Sequence, residues 1–197
     1  MTTDTETIEQ LSADARVVFG FWAYLLTDLV LFASLFATYA VLEGGTFGGP
    51  GPHQLFDVRY AFIETMLLLT SSFVAGLGMI AAHEGAKRRV LAWFAAAFIL
   101  GAGFLGMETA EFAHLAAIGA TPSASAFLSS YFTLLGTHGL HVAIGLVWMG
   151  VLLVWALRRP WDHHAERKFM LLSLFWHFLD IIWVLIFTVV YLFGLMS

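Results

Sequence analysis

No cysteine occurs among the 197 residues, which removes disulfides, thiolate metal sites and thiol nucleophiles and leaves the redox compartment unreadable. Charge is scarce too. Asp, Glu, Lys and Arg together make up 12% of the chain, where a soluble domain carries about 25%, and too little polar sequence remains for a separate soluble domain. The opening MTTDTETIEQLSADARVV is acidic and polar, without the basic-then-apolar order of a secretory leader, so no cleaved leader is expected. The net charge of -5 says little about partners, because what matters is where charges sit relative to a bilayer. Nothing calls for nucleic acid.

What is present in excess is apolar: 60% hydrophobic and 16% aromatic residues. Five apolar segments run approximately Phe19 to Leu42, Tyr60 to Ala82, Val90 to Ala113, Phe127 to Leu157 and Phe169 to Met196. A hydrocarbon core roughly 30 Å thick takes about 20 apolar residues as helix. Only helices or closed barrels satisfy every backbone group in lipid, and the strict alternation of barrel strands is missing. The expected fold is therefore all-α, an integral membrane bundle of five transmembrane helices spanning residues 19–197 behind a polar tail, 1–18.

The loops are distinct in character. EGGTFGGPGPHQLFDVR is rich in Gly and Pro and must be irregular. HEGAKRR is short and basic, HLAAIGATPSAS has no Lys or Arg, and RRPWDHHAERK is basic again. Five spans put the tail and both basic loops on one side, with Arg16, Lys87, Arg88, Arg89, Arg158, Arg159, Arg167 and Lys168; the other side holds only Arg59. Basic residues are retained in the cytoplasm, so the N-terminus is expected to be cytoplasmic and the C-terminus periplasmic.

Ionisable residues at membrane depth are costly and invite a functional reading. The final segment carries His177 and Asp180 near its middle. At a rise of about 1.5 Å per residue, Asp28, His138, His177 and Asp180 fall close to one mid-membrane layer. His141 falls nearer the inner face, and Glu64, Glu108 and Glu111 nearer the outer one. Glu108 and Glu111, His138 and His141, and His177 and Asp180 are each three apart, so each pair shares a helix face, which should point inward. Gly136, Gly139 and Gly145 beside the histidines, and Ser72 and Gly76 on the second helix, would let another backbone come close.

Three chemistries compete for these residues: structural pairing that fixes helix packing, proton or ion transfer, and a metal site. The di-iron template in helix bundles wants Glu and His three apart on one helix, whereas the pairs here are Glu with Glu, His with His, and His with Asp. A bis-His haem fits poorly, because His138 and His141 share a face. Gly101, Gly103 and Gly106 match the dinucleotide pattern literally, but inside an apolar span and without a preceding strand they read as close helix packing. Trp22, Trp93, Trp161 and Tyr60, near segment ends, read as interfacial anchors.

WHFLDIIWVLIFTVVYLFG and GTHGLHVAIG resemble the last two helices of subunit III of the haem-copper terminal oxidases. FGFWAYLLTDLVLFASLFATYAVL resembles the helix with that family's intramembrane carboxylate, here Asp28, and ETMLLLTSSFVAGLGMIAAHEG and GAGFLGMETAEFAHL resemble the two that follow. Subunit III of cytochrome c oxidases commonly has seven helices; the five here correspond to the last five, a shorter form similar to that of the bacterial cytochrome o ubiquinol oxidases. The resemblance implies an accessory subunit of a proton-pumping quinol oxidase in a bacterial inner membrane. Such a chain carries no redox centre or metal of its own. Haems and copper sit in the catalytic subunit I against which it packs beside other oxidase subunits. It binds phospholipid in a cleft between its helices and supports assembly and sustained proton uptake. Glu64, Glu108, Glu111, His138, His141, His177 and Asp180 would be polar positions of the bundle and that cleft. Subunit III of a cytochrome c oxidase or nitric oxide reductase complex is the alternative within the family. An autonomous proton-coupled carrier is the alternative outside it, and the lack of clear internal repeats weighs against a carrier.

Overall fold

A computed structural model describes the backbone of residues 2–46 and 57–195 and side chains from residue 15 to residue 194. Five long helices follow one another: α1 (Thr2–Leu42), α2 (Val58–His83), α3 (Lys87–Ala117), α4 (Ala126–Leu157) and α5 (His163–Ile186). A π-helical turn (Phe187–Leu192) and a 3-10 turn (Phe193–Leu195) continue α5. All five are long and apolar enough to cross a membrane. Most of the glycine-rich first loop, residues 47–56, and the terminal pair 196–197 lie outside the described residues.

The helix ends follow local chemistry. Asp57, Ser125 and Asp162 cap α2, α4 and α5, their side chains accepting backbone N–H groups that have no partner within the helix. Because Asp162 caps α5, that helix starts at His163, six residues before the apolar run at Phe169. Glycine closes α2 and α3. Gly85 has φ +67 and Gly119 φ +83. In each case the N–H of the glycine and that of the next residue return to the preceding turn, with Ala86 N to Ala81 O at 3.0 Å and Ala120 N to Leu115 O at 2.9 Å. This is the Schellman termination, which needs a left-handed residue.

α2 and α3 form a tight antiparallel hairpin, α4 packs on α3 and α1, and α5 lies against α2 and α4. Of the five spans, α5 is the most buried and α1 the least. Trp176 and Trp183 of α5 are completely buried, and each indole N–H donates to a hydroxyl of α2, at Ser71 and Thr65, both at 3.0 Å. In lipid, where apolar burial gives little drive between helices, such hydrogen bonds and close packing hold a bundle together. The two basic loops share one end of the bundle. Lys87 Nζ donates to the carbonyls of Arg159 (2.6 Å) and Leu157 (3.3 Å), and His83 Nδ1 lies 2.9 Å from Glu166 Oε1.

Glycines accept side chains rather than neighbouring backbone. Gly139 receives the Glu108 carboxyl, Gly145 the rings of Trp176 and Phe175, and Gly101 the Trp176 indole; Gly106 faces open space. The close packing expected of the GAGFLG stretch thus holds at Gly101 and not at Gly106. Trp22 and Trp93 are exposed, as anchors would be, but Tyr60 is tied inward, its hydroxyl donating to Met107 O at 2.9 Å.

Candidate functional site

All eight acidic and histidine positions singled out from the sequence are buried or half-buried, and none is exposed. They divide among separate polar clusters.

Asp28 on α1 faces His141 on α4. Thr137 O lies 2.7 Å from His141 Nδ1 and a carbonyl only accepts, so that nitrogen carries the hydrogen and Nε2 is directed toward Asp28 Oδ2, 3.7 Å away. Phe32 covers the imidazole, with ring centroids 5.3 Å apart. The carboxylate that depth alone placed level with His138 meets His141 instead.

His138, three residues earlier, is wholly buried. Its Nε2 donates to Leu179 O at 3.2 Å. Phe104, Trp183 and Phe32 surround the ring at centroid distances of 5.8, 5.2 and 6.4 Å, and Nδ1 has no hydrogen-bond partner. This histidine fixes α4 to α5 inside an aromatic cage.

On α5, His177 Nδ1 is hydrogen-bonded to Ser72 Oγ of α2, and its ring passes Gly76 at a distance that a Cβ would also tolerate. Asp180 is half-buried one turn on, with Oδ1 unpartnered.

Toward the end opposite the basic loops, Glu64 of α2 and Glu108 of α3 are fully buried. Glu111 accepts a hydrogen bond from Tyr191 at 3.1 Å, and Tyr191 in turn lies 3.1 Å from the Tyr131 hydroxyl. Glu111 also lines a pocket of about 260 Å³ together with Asp57, Tyr60 and His114. Tyr131 and Tyr191 were not singled out from the sequence, because an aromatic residue inside an apolar run reads as core or lipid-facing.

Among the described residues no three His, Asp or Glu side chains are grouped as a metal would require. His138 and His141 point to different neighbours, so these two do not converge on one metal or haem.

The chain matches the family described as cytochrome c oxidase subunit III over residues 7–195. It is 56% identical over 179 residues to the cytochrome bo(3) ubiquinol oxidase subunit 3 of Pseudomonas aeruginosa, across 91% of this chain and 86% of that one. Two Bacillus subtilis proteins are similar at nearly equal identity. Quinol oxidase subunit 3 is 45% identical over 90% of this chain and 87% of its own length. Cytochrome c oxidase subunit 3 is 44% identical over 90% of this chain and 86% of its own. With its five membrane-spanning helices and a match along nearly its whole length, the chain belongs to the cytochrome c oxidase subunit III family.

Proposed function

We infer that this chain is the accessory subunit III of a haem-copper ubiquinol oxidase, a complex that couples quinol oxidation to reduction of oxygen to water. The observation that carries the reading is the 56% identity, over most of both chains, to a subunit named for ubiquinol oxidation. Electron transfer then belongs to a haem- and copper-bearing subunit I. This chain supplies a packed helical wall and polar positions that hold its own helices together. Asp28, Glu64, Glu108, Glu111, His138, His141, His177 and Asp180 act in it as bundle and cleft residues, with Asp28 as the intramembrane carboxylate.

A lipid-binding role is supported by a groove of about 540 Å³ along α4, lined by Gly150, Val151, Val154 and Trp155 with Arg158 and Arg159 among its lining residues. Apolar walls with cations at the membrane edge suit a phospholipid with an anionic headgroup. The concentration of Lys and Arg at this end supports a bacterial inner-membrane orientation with the N-terminus and both basic loops, residues 1–18 among them, in the cytoplasm. The native chain has no cysteine, so single-cysteine labelling tests that orientation cleanly. An impermeant maleimide applied to intact spheroplasts should label T121C and not H164C, and the reverse pattern would invert the topology.

Purification in mild detergent tests the central reading. The chain should co-elute with larger haem-bearing chains, and the complex should oxidise ubiquinol. A stable, colourless chain that carries protons alone in proteoliposomes would sink it. The cytochrome c reading draws on the 44% identity to the Bacillus subtilis cytochrome c oxidase subunit; turnover of the purified complex with reduced cytochrome c in place of ubiquinol would select it.

A further inference from the structure

Glu64 and Glu108 are the acidic residues most completely enclosed among those described, at 0% and 1% exposure. None of their four side-chain oxygens has a hydrogen-bond partner. Glu108 fills the notch left by Gly139, where a Cβ would lie 2.6 Å from Oε2, so the fit on that side is too close for an intervening water. An ionised carboxylate only accepts hydrogen bonds. In this interior it would face no donor to offset its desolvation, whereas a carboxylic acid gains a donor of its own.

Among the described residues, those that line the pocket beside the pair include no Lys or Arg. Around the pair, α4 supplies Tyr131 and His138, and His138 already spends its Nε2 hydrogen on Leu179 O. From α2 come Asp57 and Tyr60, from α3 Glu111 and His114, all four at the pocket wall. The turn after α5 brings Tyr191. A π-helical turn is uncommon and gathers at functional sites, and this one contains Tyr191, whose hydroxyl reaches Glu111 Oε2. Behind the pocket there is thus a hydrogen-bonded Glu111–Tyr191–Tyr131 chain. Glu111 lies three residues from Glu108 on one face of α3, and the Tyr60–Met107 hydrogen bond ties the first turns of α2, which carry Glu64, to the part of α3 that carries Glu108.

We propose that Glu64 and Glu108 form an enclosed pair of proton-holding carboxylic acids, and that Glu111, on the pocket wall, is the group through which they exchange protons with water. In the release direction an acid O–H of the pair breaks and the proton passes, on a transient water, to the Glu111 carboxylate. The new Glu111 O–H then breaks as pocket water takes the proton. Uptake is the reverse, and no electrons change hands. The site lies at the end opposite the basic loops, away from the Asp28–His141 contact. The proposal rests on the oxidase reading only for the preparation in which it is measured.

Infrared spectroscopy of the intact purified complex tests it. Glu64→Gln and Glu108→Gln should each delete one deuterium-sensitive band from the carboxylic-acid C=O region. Glu111→Gln should keep both bands and slow their hydrogen–deuterium exchange by about tenfold, the kinetic equivalent of one lost hydrogen bond. Where a Gln variant does not assemble, Glu64→Asp or Glu108→Asp should shift one band instead of deleting it. Spectra of the Glu64 and Glu108 variants identical to the unsubstituted complex in that region would overturn the proton-holding pair. Unchanged exchange in Glu111→Gln would overturn the route. Neither outcome alters co-elution with haem-bearing chains, so the oxidase reading stands or falls separately.

Discussion

Gly101→Ala should be among the most damaging single-methyl additions in this chain, although it changes no charge and touches no polar cluster. Gly101 lies where the Trp176 indole crosses α3. A Cβ there would sit 2.5 Å from Cζ2 and 2.9 Å from Cη2 of the ring, with Leu146 Cδ2 at 3.3 Å. The ring has no free direction in which to move. Its other edge fills the notch at Gly145, where a Cβ would be 2.9 Å from Cζ3, and its N–H is committed to Ser71 Oγ at 3.0 Å. One indole from α5 thus locks into α2, α3 and α4 together. Overpacking costs about 1–3 kcal/mol; with the Ser71 hydrogen bond, worth about 1 kcal/mol, given up as the ring tilts, the total is about 2–4 kcal/mol. That is roughly a 30- to 1000-fold change in the folded population.

The assay is thermal unfolding of the detergent-solubilised complex, read by tryptophan fluorescence and by retention of this chain on the haem-bearing partner. Gly106→Ala is the internal control. Nothing lies within 4 Å of a Cβ at that position, so the helix propensity of alanine should leave it neutral or stabilised by up to about 1 kcal/mol. Trp176→Phe removes the ring atoms that clash, so the Gly101→Ala/Trp176→Phe double variant should be less destabilised than the sum of the two single changes. Gly101→Ala as stable as Gly106→Ala, or a double variant that is merely additive, would refute the wedge.

Ser72→Ala removes the hydroxyl bonded to His177 and should cost roughly 0.5–1 kcal/mol, the usual worth of a hydrogen bond between membrane helices, seen as a lower unfolding midpoint with quinol turnover retained. Lys87→Met keeps the apolar stem but loses the donor to the Leu157 and Arg159 carbonyls; amide exchange across Arg158–Trp161 should accelerate by roughly threefold in the assembled complex, and unchanged exchange would count against the tie between the basic loops. Asp28→Asn replaces the carboxyl opposite His141 and should leave quinol oxidation largely intact while lowering the fraction of complexes that retain this chain or its lipid by several-fold, for about 1 kcal/mol lost. Loss of haem spectra and turnover in a fully assembled Asp28→Asn complex would contradict the accessory role.

Span number and the inward direction of the ionisable pairs were legible in the sequence, because lipid enforces them; the helix starts were less so, since α1 begins at Thr2 and α5 at His163, both ahead of their apolar runs. A helix must be about 20 apolar residues long, and a charged group cannot cheaply face hydrocarbon. Which polar group meets which was not legible, because depth fixes only one coordinate. His138 and His141 differ by about 60° around α4 at 3.6 residues per turn. That small rotation sends His141 toward Asp28 on α1 and His138 into the cage of Phe104 and Trp183. The glycines misled in a similar way. Small residues in membrane helices suggest backbone contact, yet Gly101, Gly139 and Gly145 accept a Trp ring or a carboxyl instead, and nothing in a glycine specifies what fills its notch.

The two Bacillus subtilis relatives bear on what selection acts upon in such a chain. One is named for quinol and the other for cytochrome c, and from this chain they are 45% and 44% identical. Overall identity to this chain therefore does not separate the quinol-named relative from the cytochrome c-named one. What this structure shows to be constrained is internal: the indoles of Trp176 and Trp183 bonded to α2, the glycine notches they and Glu108 fill, and the caged His138. These features keep five helices in register whatever the donor, which is the property an accessory wall beside a catalytic neighbour requires. Donor choice, on this argument, should move with exchange of the other subunits, and a hybrid complex carrying this chain in place of a cytochrome c oxidase subunit III should keep cytochrome c as its substrate.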